Sequence, residues 1–301
     1  MGHRICNRHH HDPDNLSGDE NNRCVGKSNE PGFMKNNHLL ILSLSLVYLF
    51  LIGPLVIIVF SAFNDSEFLD FPPQTYSLRW FYRIFESEMF ISAFQNSLLL
   101  SFFGALGALL IGLPAAYSLS RLRFWGSGVL ATGIFLTYLV PDTLLFIPLF
   151  KIVGWLGLLN SYWVLVLVYP TLSVPFCTWL MIGYFSSIPK EIDEAALIDG
   201  ANHMQMLLKV FIPVAMPGLI AATIFAFTVS WAGFLYPLAF IYSESEMVLT
   251  VGTVTTLIKG DVFHWGGLMA GALLAAAPPV IVYAFLMDYY IAGLTSGATK
   301  G

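Results

Sequence analysis

Six runs of apolar residues set the limits on what this chain can fold into. They cover roughly 38–62, 92–120, 129–151, 161–184, 213–242 and 265–290. Each is near the ~20 residues that a helix needs to cross a bilayer. A helix pairs its own backbone groups, so it can enter lipid without leaving N–H or C=O unsatisfied. The strict apolar–polar alternation of a membrane barrel is missing. Composition agrees: 56% of residues are hydrophobic and 11% charged, against about 25% charged in a soluble domain. The expected fold class is an all-α integral membrane protein with about six transmembrane helices.

Charge between the runs predicts orientation. Arg121 and Arg123 lie between runs two and three, and Lys190 and Lys209 between four and five. Arg4, Arg8, Arg23, Lys27 and Lys35 precede the first run, and Lys300 follows the last. The alternate loops carry Asp65, Glu67, Asp70, Glu86, Glu88, Glu244, Glu246 and Asp261, with Arg79, Arg83 and Lys259 against the trend. The positive-inside bias puts both termini in the cytoplasm. The expected location is a bacterial cytoplasmic (inner) membrane.

Residues 1–35 are polar and read as a disordered cytoplasmic tail, ahead of a permease domain over 36–301. Cys6, Cys24 and His9, His10 and His11 read either as metal ligands or as part of a floppy tail, an over-extended start before Met34. No cleavable signal is expected, because the first apolar run lies too far into the chain. Three cysteines, with Cys177 in a span, give no disulfide framework. The aromatic loop 63–91 reads as an outer interfacial segment, with Phe71, Trp80, Phe81 and Tyr82 along the membrane surface. His264 and Trp265 read as an outer-interface anchor.

One segment departs from the apolar pattern. "EIDEAALIDGANHMQMLLKVFIP", Glu191 to Pro213, lies in the loop 185–212, which the charge bias makes cytoplasmic. Ser187 is placed to cap a helix, with Pro189 in its first turn. Glu191, Asp193 and Glu194 suit the positive end of the helix dipole. Ala195 and Ala196 would let another backbone approach, and Gly200 would end the helix in the left-handed conformation. A second short helix over about 202–211 would carry Met204, Leu207 and Leu208 on one side. A loop this long, structured and part apolar suits an intracellular partner better than an ordinary connection.

The spacing Glu194-Ala195-Ala196, three residues, Gly200, nine residues, Val210-Phe211-Ile212-Pro213 resembles the "EAA" coupling motif of ABC importer permeases. Asn96 to Gly126 is similar to the second span of carbohydrate-importer permeases of the MalG-like type. Ile147 to Trp163 resembles their third span and following loop, and Ala292 to Gly301 their C-terminal signature. The resemblance covers about 38–301. Two departures stand out: Trp231-Ala232-Gly233-Phe234 where the family often has W-N-[DE]-F, and Asp288-Tyr289 where it favours Gln-Arg. "FPPQTYSLRW" also resembles polyamine permeases.

The resemblance implies a type I ABC importer permease fold. It implies as partners a second permease subunit, two ATP-binding subunits, an extracytoplasmic solute-binding protein and the lipid membrane, with no nucleic acid. Glu194, Ala195, Ala196, Asp199 and Gly200 become the ATPase-docking element. No cofactor is expected in this chain, ATP and Mg being bound by the partner ATPase; the chain carries no G-x-x-x-x-G-K-[ST] pattern of its own. No metal site is expected, nor any catalytic residue: Asp142, Asp288 and Glu194 fall at different depths, which argues against a membrane enzyme. The solute reads as a sugar or polyol, since a cationic solute such as a polyamine would favour several acidic groups along the path.

For the translocation path the candidates are Asn96, Asp142, Trp231 and Tyr236. Asp142 follows Pro141 inside the third run. An ionised carboxylate there costs about 2.5–3.5 kcal/mol on insertion scales, so it should face protein or water. It reads either as a path-lining group or as a residue reaching water at the outer end. The other three either line the path or pack.

Overall fold

The structure is a computed structural model describing residues 37–298 apart from 67, 69, 123, 260 and 261; side chains are described over 40–255 and 264–287. The tail 1–35, with its cysteines and histidines, lies outside the described residues. So do the side chains of Asp288, Tyr289 and the Ala292–Gly301 signature. The chain divides into two compact units, Met1–Leu51 and Ile52–Gly301.

Among the described residues the fold is helical, save one two-residue antiparallel pair, Ile258–Lys259 with Val262–Phe263. Helix α1 runs Asn37–Ala62, α2 Arg79–Glu86 and α3 Glu88–Arg121. The third apolar run is two helices, α4 Ser127–Tyr138 and α5 Asp142–Trp155, then α6 covers Tyr162–Ser187. Next come α7 Lys190–Ile198, α8 His203–Met206, a π turn Leu207–Phe211, α9 Ile212–Val214 and α10 Met216–Trp231. The chain ends with α11 Leu235–Phe240, a 3₁₀ turn Glu244–Glu246, α12 Leu249–Leu257 and α13 Trp265–Ala298.

Four helices are long and apolar enough to cross a bilayer singly, and two bent pairs raise the number to six. The bends break the third and fifth apolar runs, and proline explains them. Between α4 and α5 the axis turns by 96°. Pro141 has no N–H to continue a helix, and it bars the residue before it from the helical region. The second bend, 88°, separates His203–Val214 from α10. Pro213 and Pro217 flank it, and Ala215 carries the turn at φ −91°.

The centre of the fold is α3 lying along α6, with α10 against both. Small residues on α3 make this possible: Ala93, Ser97, Ser101, Gly104, Ala105, Ala108, Gly112 and Ala116 are all buried. They recur every three or four positions and so share one face. A Cβ at Gly104 would press on Ser230 and Tyr169, and one at Gly107 on Pro170. In lipid, where apolar attraction between helices is weak, such close approach is what holds spans together.

The aromatic loop is built differently from the interfacial strip expected. Trp80 is buried, and its Nε1 donates to the Asn64 carbonyl at 2.8 Å. Its ring lies against His264 and sits where a Cβ at Gly266 would go. Phe71 and Tyr82 remain exposed. Trp80 therefore fastens α2 to the start of α13 rather than lying along the surface.

Candidate coupling hairpin and translocation elements

The segment 188–214 is a helical hairpin closed by two sets of local hydrogen bonds. Ser187 does not cap α7, as the sequence suggested; it is the last residue of α6, and its Oγ donates back to Tyr184 O at 2.8 Å. Pro189 occupies the cap position with no side-chain bond, and Glu191 and Asp193 supply negative charge to the first turn. The end of α7 is a Schellman turn. Gly200 takes φ +78°, its N–H donates to Leu197 O at 3.0 Å, and Ala201 N–H donates to Ala196 O at 3.0 Å. Asn202 then opens the second arm with a capping box. Its Oδ1 accepts from Gln205 N at 2.9 Å, and Gln205 Oε1 accepts from Asn202 N at 3.0 Å.

The second arm changes register at Leu207–Phe211, where Ile212 N–H reaches five residues back to Leu207 O. Pro213 lacks the N–H that would return to Lys209, so the α ladder fails here and a wider turn absorbs the gap. The apolar side expected from the sequence is split. Met204 and Leu208 are exposed, while Leu207 is buried with Met206 and Phe211.

The two alanines also part. Ala196 is 9% exposed and packs into a cluster with Phe185, Ile188, Met206, Leu207 and Phe211. Ala195 is exposed together with Glu191, Glu194, Asp199 and Gly200. The correction is geometric: at 100° per residue, adjacent positions cannot both face outward along one narrow contact. Beside Ala195 stands Ile198, 86% exposed, with Leu197 exposed too. Lys190, Glu191, Glu194 and Asp199 flank these residues along the same helix and are exposed, a density of charge incompatible with hydrocarbon. The ridge is thus an apolar knob in a charged rim.

Arg121, in the sequence only a topology marker, anchors the hairpin. It ends α3, and its Nη2 donates to the carbonyls of Phe185 and Ile188. Its Nη1 pairs with Asp193 Oδ2 at 3.3 Å, and the guanidinium lies over the Phe211 ring at 4.8 Å. Beside it Tyr117 Oη meets His203 Nδ1 at 3.1 Å. The signal available in the sequence is an arginine that closes an apolar run, in "SRLRF", Ser120 to Phe124.

The four path candidates fall into three places. Asn96 is buried: its Nδ2 donates to Ser245 O and Met247 O, both at 2.9 Å, and its Oδ1 accepts from Tyr162 Oη at 2.8 Å. Every polar atom of that side chain is engaged in holding the 245–247 loop. Asn160 does similar work, accepting from Tyr242 N and Ser243 N at 2.8 Å each from a left-handed backbone, φ 59°. Asp142 and Tyr236 are brought together. Asp142 is exposed at the start of α5, and Tyr236 Oη donates to its backbone carbonyl at 2.8 Å. Trp231 stands apart from both; its Nε1 donates to Ala275 O at 2.9 Å. Gly233 sits where the resemblance leads one to expect an acid. A Cβ there would lie 3.1 Å from the Tyr169 ring, which fills the space.

Comparison with known proteins places this architecture. Residues 108–296 match the family described as "Binding-protein-dependent transport system inner membrane component". The chain is 36% identical over 231 residues to the inner membrane ABC transporter permease protein YcjP of Escherichia coli K12, covering 76% of this chain and 82% of that one. It is 31% identical over 264 residues to the maltodextrin transport system permease protein MdxG of Bacillus subtilis 168, covering 86% and 95%. Its fold matches a chain of a bacterial ABC transporter involved in the import of the acidic polysaccharide alginate, with TM-score 0.73 and 23% identity, covering 85% of this chain and 98% of that one. The chain belongs to the family of binding-protein-dependent transport system inner membrane components.

Proposed function

We propose that this chain is one permease half of an ATP-driven importer that moves a sugar or polyol across the cytoplasmic membrane. A second permease completes the path, two ATP-binding subunits work it, and an extracytoplasmic binding protein delivers the solute. Both termini lie in the cytoplasm, as the Arg and Lys bias favours. That orientation puts the hairpin 188–214 on the side where ATP is.

The observation that carries this reading is the exposed ridge of α7. Ile198 and Ala195 stand clear of the fold inside a charged rim, while Ala196 and Arg121 tie the same helix to the spans. A helix gripped on one side and bare on the other is suited to pass displacement from a partner into the membrane. ATP binding closes the ATPase pair, and the differential contact between the two arrangements shifts the spans between inward-open and outward-open states. The ATPase-docking residues are Glu194, Ala195, Asp199 and Gly200 on the outside, with Ala196 as their inner support. The carbohydrate assignment draws on the maltodextrin name of a relative.

The test is uptake by proteoliposomes containing the full complex and its binding protein. ATP-dependent accumulation of neutral oligosaccharides is the expected result. Accumulation of polyamines with no sugar uptake would overturn the substrate class.

A further inference from the structure

We infer that Arg121 is the positioning residue through which α7 moves α3 and α6. This rests on the docking role proposed above for α7. The side chain is 7% exposed and joins its own helix to three other segments. It belongs to the last turn of α3, holds the carbonyls of Phe185 and Ile188 at the end of α6, pairs with Asp193 in α7 and covers Phe211 in the π turn. The last carbonyls of a helix lack their usual donors four residues on, and Phe185 O has only the Ile188 N–H at 3.2 Å, so a guanidinium there fixes the end of α6 in place. Displacement of α7 therefore bears on one planar group that touches both spans, beside the packing of Ala196.

The ion pair itself is half made. It joins one nitrogen to one oxygen, and both Arg121 Nε and Asp193 Oδ1 are shut from solvent without a hydrogen-bond partner. Buried polar atoms are nearly always paired, so two orphans within one contact mark a contact with a second arrangement. Arginine and carboxylate favour a two-point fork. A small shift of α7 toward α3 brings the spare donor and acceptor into play, so the contact is remade rather than broken as α7 moves. Lysine offers a point charge that cannot hold two carbonyls and a carboxylate in one plane.

Purified complex in proteoliposomes tests this, with solute moved per ATP hydrolysed as the readout. Arg121→Lys is expected to lower that ratio at least about fivefold, the low end of a typical coupling energy. Stimulation of ATPase activity by solute-loaded binding protein should be lost with it. Asp193→Asn keeps the carbonyl bonds and should lower the ratio to a lesser degree, which guards against a lysine variant that fails to assemble. If both variants assemble with ATP-binding subunits and keep the wild-type ratio, the inference is overturned while the docking role stands. A role in stability alone would reduce the yield of complex and leave the ratio of what survives unchanged, which also overturns it. If wild-type complex purifies with no ATP-binding subunit, the docking role itself fails and takes this inference with it.

Discussion

The indole Nε1 of Trp231 donates to the carbonyl of Ala275 at 2.9 Å, and Ala275 lies four residues before Pro279. Pro279 has no N–H, so in α13 that carbonyl has lost its helical donor. Trp231 supplies the missing bond from the end of α10, with Phe227 stacked on its ring and Phe94 at its edge. In hydrocarbon no water can take that place.

Trp231→Phe should therefore destabilise the protein by about 1–3 kcal/mol, the cost of stranding a buried acceptor. Pro279→Ala restores the backbone donor. In that background the cost of Trp231→Phe should fall to less than half, and thermal unfolding of the four variants in detergent gives the coupling directly. Equal costs in both backgrounds would separate Trp231 from the proline break.

The two alanines of α7 should respond in opposite ways. Ala196→Glu forces a carboxylate among Met206, Leu207 and Phe211, and the yield of folded protein should drop. Ala195→Glu changes only the exposed ridge, so the protein should fold normally and bind the ATP-binding subunit more weakly. Size-exclusion profiles and co-purification measure the two effects separately.

Gly200 has open space around it, yet its φ is +78°. A substitution there meets no neighbour, so its cost is backbone strain alone. Gly200→Leu should cost about 1–2 kcal/mol and loosen the Schellman turn. Gly200→Asn should cost less, because asparagine tolerates the left-handed region. Hydrogen exchange at Ala201 and Asn202 reports the loosening.

Asp142→Leu keeps the backbone carbonyl that Tyr236 binds, so the break between α4 and α5 should persist. Loss of the exposed carboxylate should nonetheless slow uptake several-fold at unchanged complex level if Asp142 borders the solute path. Wild-type uptake would remove it from the path.

Much of the architecture was legible because it follows from single-residue chemistry. The apolar runs announce a helical membrane protein, and Gly200 marks a helix end through the one conformation only glycine takes freely. What stayed hidden depends on contacts between distant segments. Pro141 was visible, but hydropathy does not encode a 96° turn. Leu207 faces inward with Met206 and Phe211 while Met204 and Leu208 face out, and apolar residues on both sides of a short helix do not say which side will be covered. Asn96 and Trp231 stand out as polar or aromatic groups inside spans; the groups that their N–H atoms bind are backbone carbonyls, which leave no trace in a sequence. Arg121 looked like a topology charge because its four contacts come from segments 64 to 90 positions away.

The central claim is that the exposed ridge of α7 receives an ATP-driven partner. Cysteine placed at Ile198 or Ala195, cross-linked in native membranes, addresses it most directly. The expected product joins this chain to an ATP-binding subunit, with cysteine at Ala196 giving little. A ridge that captures no ATP-binding subunit from either exposed position would contradict the account.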